Sequence, residues 1–448
     1  MYEDGTLKPF GRGRLARLAV LIALGLLALL ALPSAAPAQQ GLVTGFSDPF
    51  HYQANSASDR AAWLDRTTAS GAGMVRLAVE WPGIVGSNRP ADPTNPGSAS
   101  YNFSPIDGPV RDAEARGLQV LLTVNHAPSW AQAPGRPASV APETWKPNPA
   151  DLANFLQAVA ARYSGGFDPP GQAPPLPAVQ ALEVWDEANS SDWLNPVFEG
   201  TTALSPDYYR EMLNASYRAI KAVAPQILVV VAGTDPYGDP PGGPYHPGTY
   251  GPTQRIYPVQ FWQQVLCVHP VTVTVPVKGK KKKGKKKRKR RRRSVTTYVR
   301  TQGCSAPALF DVFAHHPIDN TGGGPLKSGP SPLDVSTPDL GRLVSVLRAA
   351  EQAGTTLPGT HPVWVTEFWW DSNPPNPVGA DLLTQARWIE QSLYLFWKAG
   401  ADTAINFQVG DVNERPDVHA GLQAGPYFID GQPKPSLTAF RFPFVTER

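Results

Sequence analysis

The chain has 448 residues, of which 42% are hydrophobic and 10% aromatic, which excludes a peptide or a mostly disordered protein. The formal net charge of +4 invites a nucleic-acid partner, but the positive charge is concentrated in one segment. Between Lys278 and Arg293, 14 of the 16 residues are Lys or Arg. Without them 27 basic residues remain against 37 acidic ones, so the rest of the chain carries a formal charge of −10.

The N-terminal segment has the three-part layout of a secretory signal peptide. Arg12, Arg14 and Arg17 precede an apolar run over residues 18–32, and small residues follow at 36–38. The run is about 15 residues long, shorter than the roughly 20 needed to cross a bilayer. We therefore predict a signal peptide over residues 1–38 that is cleaved rather than kept as an anchor. The remaining chain is predicted to be extracellular, either free or associated with the cell surface, without stable membrane insertion.

Short apolar runs recur along the remaining chain and predict eight strands. The runs are Leu42–Phe46, Met74–Val79, Val120–Val124, Val179–Trp185, Ile227–Ala232, Ala308–Phe313, Val363–Thr366 and Thr403–Phe407. The segments between them carry apolar residues at helical spacing, such as Leu152, Phe155, Leu156 and Val159. Apolar strands that alternate with helices favour a parallel sheet covered by helices. Eight such units predict an α/β fold, the (β/α)8 or TIM barrel, over residues 39–448.

The two cysteines, Cys267 and Cys304, bracket the basic segment. An even pair of cysteines in an exported protein usually forms a disulfide. Just inside them lie β-branched runs over Val271–Val277 and Val295–Val299, which are typical of the two arms of a hairpin. We predict a disulfide-bonded β-hairpin over residues 267–304, inserted before the sixth strand, with a basic tip over residues 278–293.

The basic tip, Lys278–Arg293, has three interpretations. A nuclear or nucleic-acid role fits the charge alone, but the predicted signal peptide and disulfide argue against it. A solvated tip without a specific partner and a tip that attaches to an extracellular polyanion both remain open. Binding to a polyanion would weaken steeply with salt.

Two of the predicted strands end in a carboxylate. Glu187 follows the fourth strand and Glu367 follows the seventh, at the end of the barrel where such folds build their sites. Two facing carboxylates can hydrolyse a glycosidic bond, with one protonating the leaving oxygen and the other attacking the sugar carbon. An acid at the end of a buried strand is placed for a raised pKa. The alternative is that each glutamate is only a capping or ion-paired residue.

The segments LEVWDEAN (Leu182–Asn189) and VWVTEFWW (Val363–Trp370) resemble the motifs of the clan-A glycoside hydrolases. The resemblance extends from about Gly41 to Asp411 and implies a retaining hydrolase that acts on a β-linked glycan or glycoside. By the same resemblance Glu187 is the acid/base and Glu367 is the nucleophile.

Further matches to the family lie at the ends of other strands. Arg76 on strand two matches the arginine that supports the nucleophile, and a buried arginine needs an anionic partner in any case. Asn125 or His126 after strand three, and His315 or His316 after strand six, match positions that line the sugar site.

Three positions depart from the family pattern. Asp186 stands where most relatives have Asn, and its negative charge would raise the pKa of Glu187; its carboxylate can still accept a hydroxyl of the sugar. Ile318 replaces a Tyr after strand six, and Asn406–Gln408 stands where strand eight usually offers a Trp. The missing Tyr and Trp motivate a second hypothesis, a non-catalytic barrel that binds glycans or is tethered to a polyanion at the cell surface.

The 12 tryptophans also favour a carbohydrate partner, because flat aromatic faces stack on sugar rings. Those that come within a few residues after predicted strands, at the mouth of the barrel, are Trp81, Trp130, Trp193, Trp369 and Trp370. We predict substrate contacts for Trp130, Trp193 and Trp369, and the alternative for each is core packing. No metal or cofactor is predicted, because His246, His269 and His361 lack ligand spacing.

Overall fold

A computed structural model describes residues 41–53, 56–171, 174–241, 243, 246–248, 251–276, 292–304, 306–319, 322–413 and 422–441. The predicted signal peptide, residues 1–38, lies outside the described residues, and so does most of the predicted basic tip, residues 278–291. Residues Leu42–Arg448 belong to one compact unit.

Eight parallel strands form the central sheet. They are β1 (Val43–Ser47), β2 (Met74–Glu80), β3 (Gln119–Asn125), β4 (Ala181–Val184), β5 (Leu228–Val231), β6 (Phe313–His315), β7 (Val363–Phe368) and β8 (Thr403–Phe407). Hydrogen-bonded neighbours follow the order β6-β7-β8-β1-β2-β3-β4-β5. A parallel bridge between Val230 and Val312 joins β5 to the start of β6. The ring of strands confirms the predicted (β/α)8 barrel.

Helices follow the strands and cover the sheet. They are α1 (Ala57–Ala69), α2 (Ser104–Glu114), α3 (Pro149–Arg162), α4 (Ser205–Val223), α5 (Pro258–Val265), α6 (Gly341–Ala353), α7 (Leu382–Ala399) and α8 (Pro435–Phe440). The apolar stripe predicted for α3, namely Leu152, Phe155, Leu156 and Val159, is buried. Helical spacing therefore identified the face that packs on the barrel.

Shorter elements lie in the loops. Four-residue and five-residue helices span Pro49–Tyr52 and Trp81–Val85, and 3-10 turns span Ser129–Ala131 and Thr337–Asp339. Small paired strands are Phe198–Glu199 with Thr202–Ala203, His246–Gly248 with Gly251–Thr253, and Ser372–Asn373 with Ala380–Asp381. These elements shape the segments on which a barrel builds its site.

The sixth strand begins later than predicted. The sequence indicated Ala308–Phe313, whereas β6 spans Phe313–His315. The reason is Asp311, whose carboxylate accepts the N–H of Val229 on β5 at 2.7 Å and so replaces a main-chain ladder bond. The apolar residues before it, including Phe310, are still buried, and they pack as an irregular segment.

The predicted hairpin is present between α5 and β6. Its antiparallel strands, Val268–Pro276 and Arg292–Arg300, pair from Val268 with Arg300 to Pro276 with Arg292. Cys267 and Cys304 are disulfide-bonded, with Cα atoms 5.9 Å apart. The predicted disulfide-bonded hairpin is therefore confirmed, and its arms are longer than the sequence indicated.

Two of the tryptophans that follow strands belong to the core. Trp81 is fully buried and stacks on Phe155 at 5.4 Å. Trp370 is buried and donates from Nε1 to the hydroxyl of Ser392 at 2.9 Å. Neither ring is available to a ligand.

Among the helices that the structure describes, none has the length and apolar character needed to cross a membrane.

Candidate active site

One arginine connects strands β2, β4 and β7 inside the mouth of the barrel. The guanidinium of Arg76 donates to Glu183 (2.9 Å), Asp186 (3.0 Å) and Glu367 (2.9 Å) from three different nitrogens. Its side chain is only 6% exposed, so its charge requires these partners. Burial lowers the pKa of Arg76, but the charges of the three carboxylates outweigh burial and raise it. Arg76 is therefore cationic and fixes the position of Glu367.

Glu183 lies inside β4 and is completely buried. Its carboxylate accepts hydrogen bonds from Arg76, from the hydroxyls of Thr123 (2.6 Å) and Thr366 (2.9 Å), and from the N–H of Gly233 (3.1 Å). A carboxylate with this many donors is satisfied as an anion. Glu183 therefore fixes the position of the Arg76 guanidinium.

Glu187 has different neighbours from Glu367. Its Oε1 is 3.0 Å from Nδ1 of His316, and its Oε2 accepts from Nε1 of Trp193 at 3.1 Å. The side chains of Glu187 and Glu367 are 16% and 19% exposed, whereas Arg76, Glu183 and His316 are nearly inaccessible. The two predicted catalytic carboxylates are thus the members of this cluster that a substrate can reach.

Burial raises the pKa of Glu187 to about 8. The hydrogen bond with His316 opposes the rise, and the charges of Asp235 and Asp186 add to it. Burial alone would lower the pKa of His316, but its hydrogen bond with Glu187 and the charges of Asp186 and Glu367 prevail and raise it to about 9. At neutral pH Glu187 therefore carries a proton and can donate it.

The structure separates the two candidate histidines after β6. His316 contacts Glu187, and its Nε2 is 3.1 Å from the hydroxyl of Thr366. Both ring nitrogens of His315 bond elsewhere, to Thr234 at 2.8 Å and to the carbonyl of Val335 at 2.7 Å. Burial lowers the pKa of His315 to about 3. His316 belongs to the cluster around the glutamates, and His315 is neutral and packs behind it.

His126 reaches the site through an aromatic contact. Its ring stacks on Trp193 with centroids 5.0 Å apart, and its Nδ1 is 2.8 Å from Oε2 of Glu80 at the end of β2. Asn125, the last residue of β3, is buried, and its Oδ1 has no hydrogen-bond partner. A buried amide oxygen without a partner is available to a hydroxyl donor.

The other two predicted aromatic residues make no described contact with the glutamates. Trp130 packs edge-on against Trp81 at 5.7 Å, with the guanidinium of Arg89 over its ring at 5.2 Å. Trp369 is partly exposed, two residues beyond Glu367. Trp130 therefore extends the core cluster of Trp81 toward the surface, and Trp369 lies at the mouth beside β7.

The departures from the family pattern have distinct surroundings. Asp186 is buried, and burial raises its pKa although Arg76 and His316 oppose the rise. Ile318 is buried and its N–H bonds to the carbonyl of His316. At the end of β8, Asn406 is buried, and the partly exposed ring of Phe407 meets Phe50 edge-on at 6.3 Å.

Within the described part of the chain, no group of three or more His, Cys, Asp or Glu residues could hold a metal ion.

Sequence reasoning missed Glu183, Thr366 and Gly233. Glu183 stands between apolar residues in the run Val179–Trp185, and a charge in a buried strand signals a buried partner. Thr366 directly precedes Glu367. Gly233 follows β5, and a Cβ atom there would overlap the imidazole ring of His316, so only glycine lets the ring lie this close to the backbone.

Solved structures that align with most of this chain include glycoside hydrolases. A family 39 glycoside hydrolase from Bacteroides cellulosilyticus aligns over 92% of this chain at 18% identity, with a TM-score of 0.50. GH5_18 from Streptomyces cattleya, solved with GlcNAc, aligns over 90% of this chain and 80% of its own at 15% identity, with a TM-score of 0.52. A glucosidase from Croceicoccus marinus aligns over 90% at 18% identity and a TM-score of 0.52.

This chain spans 64% of the family 39 structure and 66% of the glucosidase structure, less than two thirds of each. No protein-family model matches the sequence, and no curated protein matches it. At these identities the likeness concerns the fold. The resemblance to clan-A glycoside hydrolases is thus confirmed at the level of the barrel architecture.

Proposed function

We propose that this protein is a secreted, retaining glycoside hydrolase that cleaves a β-linked glycan or glycoside. Glu187 is the acid/base and Glu367 is the nucleophile. The observation that carries the proposal is the contrast between the two glutamates. Glu367 forms an ion pair with the cationic Arg76, whereas burial and nearby acids keep the proton on Glu187. Such divergent environments assign acid and nucleophile roles.

The reaction follows from these states. The carboxylate of Glu367 attacks the anomeric carbon while Glu187 protonates the leaving oxygen, which gives a covalent glycosyl-enzyme. Water then attacks the same carbon, Glu187 takes its proton, and Glu367 leaves as a carboxylate. Neither half of the cycle requires a cofactor.

The sugar contacts come from groups around the two glutamates. The indole of Trp193 donates to Glu187 and stacks on the imidazole of His126, so one aromatic ring lies directly beside the acid. The unpartnered Oδ1 of Asn125 can accept a hydroxyl, and Trp369 offers a further ring. Arg76 and His316 contact the reacting carboxyl groups of Glu367 and Glu187 directly, and Asp186 binds the guanidinium of Arg76.

Secretion is part of the proposal and is supported by the disulfide between Cys267 and Cys304, since disulfides persist in oxidising compartments. The attachment of residues 278–293 to an extracellular polyanion stays a prediction from the sequence. Deleting this segment should reduce retention on anionic beads at low salt, and unchanged retention would contradict it.

The test is hydrolysis of a panel of aryl β-glycosides and β-linked polysaccharides. Glu187→Ala and Glu367→Ala should each abolish turnover, whereas Glu114→Ala, at an exposed position on α2, should not. Proton NMR of the first-formed sugar should show the anomeric configuration of the substrate, and the opposite anomer would make the enzyme inverting. Glycan binding by the wild type without turnover would favour the non-catalytic barrel.

A further inference from the structure

The hydroxyl hydrogen of Thr366 is committed to one acceptor. Thr366 Oγ1 lies 2.9 Å from Oε1 of Glu183, and that carboxylate also accepts from Arg76, Thr123 and Gly233. Arg76 and the backbone of Gly233 can only donate, and Glu183 forms a buried ion pair with Arg76, so its carboxylate accepts the single hydrogen of the threonine. The hydroxyl oxygen of Thr366 can then only accept a further hydrogen bond.

The lone pairs of this oxygen face one nitrogen of His316. Nε2 of His316 is 3.1 Å from Oγ1 of Thr366 and 3.8 Å from Oδ1 of Asp186. Both neighbouring atoms are acceptors, so Nε2 must carry a hydrogen. The ring can approach because Gly233 has no side chain. The other nitrogen, Nδ1, is 3.0 Å from Glu187, and a hydrogen there also meets an acceptor.

We propose that Thr366, with its hydroxyl held by Glu183, is a positioning residue that keeps His316 in the doubly protonated, cationic form beside Glu187. This inference rests on the proposed function of Glu187 as the acid/base. The charged groups that act on the imidazole are those of Glu187, Asp186, Glu367 and Arg76, together with its neutral neighbour His315. The acids among them favour the cation, and Arg76 opposes it.

A permanent cation at His316 stabilises the carboxylate form of Glu187 during turnover. When Glu187 gives its proton to the leaving oxygen, its O–H bond breaks, an O–H bond forms on the leaving group, and the electron pair of the C–O bond stays with that oxygen. Glu187 becomes a carboxylate that accepts Nδ1–H of His316 and Nε1–H of Trp193. In the second half Glu187 regains a proton from water. His316 carries the same charge in both halves and stabilises the anionic intermediate state of Glu187.

Two threonines allow a matched comparison. Thr123 and Thr366 each donate a hydroxyl to Glu183, but of the two only Thr366 has a described hydrogen bond to His316. Thr366→Val removes both bonds at nearly constant volume, Thr366→Ser keeps the hydroxyl, and Thr123→Val removes a donor to the same carboxylate. Both valine variants lose a hydrogen bond to Glu183, whereas only Thr366→Val is expected to lose the protonated form of His316.

The first measurement does not depend on turnover. Nitrogen-15 NMR of the full chain labelled at histidine, with His316 assigned by His316→Gln, reports protonation of each ring nitrogen. We expect both nitrogens to be protonated at pH 7, and the His316 titration to move to lower pH in Thr366→Val but not in Thr366→Ser or Thr123→Val. A neutral His316 at pH 7 in the wild type, or equal titrations in the two valine variants, would overturn the proposal. This result decides the inference even if no glycoside is hydrolysed.

The second measurement is the pH dependence of kcat/KM on an aryl glycoside. Thr366→Val should lower kcat on the order of tenfold or more with little change in KM, because an acid/base step typically contributes at least this much. Because the proposal requires the imidazolium for activity, the alkaline limb of Thr366→Val should follow the lowered titration of His316 to lower pH, although loss of that cation by itself raises the pKa of Glu187. Thr366→Ser should restore the limb. A fall in kcat with an unmoved alkaline limb would indicate a structural effect and would count against the proposal.

Discussion

Arg76 donates from Nη1 to Oε2 of Glu367 at 2.9 Å, and the same guanidinium also holds Glu183 and Asp186. A planar group with donors on three nitrogens can bind three carboxylates at once, whereas an ammonium is a single point of charge. The position of Glu367, the proposed nucleophile, therefore depends on the shape of the arginine and not only on its charge.

The first prediction is that Arg76→Lys keeps the charge and loses most of the activity. We expect kcat/KM on an aryl glycoside to fall on the order of 100-fold, because the nucleophile is displaced from its reacting position. Arg60→Lys is the matched control, since Arg60 pairs with Asp112 on the outer helices. Thermal unfolding of both variants checks that they fold. Activity of Arg76→Lys close to that of the wild type would contradict the role given to the guanidinium.

The second prediction concerns the charge of Asp186. Because Glu187 must be protonated to act as the acid, kcat/KM should decline as the pH rises through about 8. Asp186→Asn keeps an acceptor for Arg76 but removes a negative charge that raises the pKa values of both Glu187 and His316. The alkaline limb should therefore move to lower pH by about one unit. Asp65→Asn, at an exposed ion pair, should leave the limb unchanged, and a shift to higher pH in Asp186→Asn would refute the assignment.

The sequence predicted the barrel because periodicity reports which residues are buried. Runs such as Val120–Val124 and Val363–Thr366 form strands close to the expected bounds. The sixth strand was misplaced because the side chain of Asp311 takes a ladder bond from Val229, and hydrophobicity does not report such a substitution.

Sequence motifs selected candidate site residues that follow strand ends and missed the residues that support another side chain. Glu187 and Glu367 carry recognisable motifs, but Thr366 and Glu183 gain their roles only when β4 and β7 face each other across the closed barrel. Adjacent histidines were ambiguous for the same reason. His315 bonds to Thr234 and Val335, whereas His316 bonds to Glu187 and Thr366, and the sequence alone does not say which of the two contacts Glu187.

The third prediction tests the space that Gly233 leaves for His316. A methyl group at Gly233 would overlap the imidazole ring, so Gly233→Ala must displace His316 or the strand end. We expect the free energy of unfolding to fall by about 1–3 kcal/mol, which is typical of overpacking. We also expect kcat to fall on the order of tenfold or more, because Glu187 loses its contact with His316. Gly341→Ala is the control, because nothing lies within 4 Å of a Cβ atom there. Equal activity in the two variants would contradict the packing argument.

The fourth prediction concerns the hairpin strands Val268–Pro276 and Arg292–Arg300. Val273 and Val299 are each 39% exposed, and an isolated hairpin with little core of its own is marginally stable in water. The Cys267–Cys304 bond closes an interval of 37 residues, for which loop entropy predicts a contribution of about 4 kcal/mol. Replacing both cysteines by serine should therefore accelerate amide exchange in the two hairpin strands while β3 in the barrel stays protected.

A reductant supplies the control for this experiment. It should accelerate exchange in the hairpin of the wild type and have no effect on the double serine variant, because that variant has no bond left to reduce. Aryl glycoside hydrolysis should persist in both, since none of the described site contacts involves residues of the two hairpin strands. Equal protection of the hairpin strands with and without the disulfide would mean that packing against α6 holds the hairpin and that the bond contributes little.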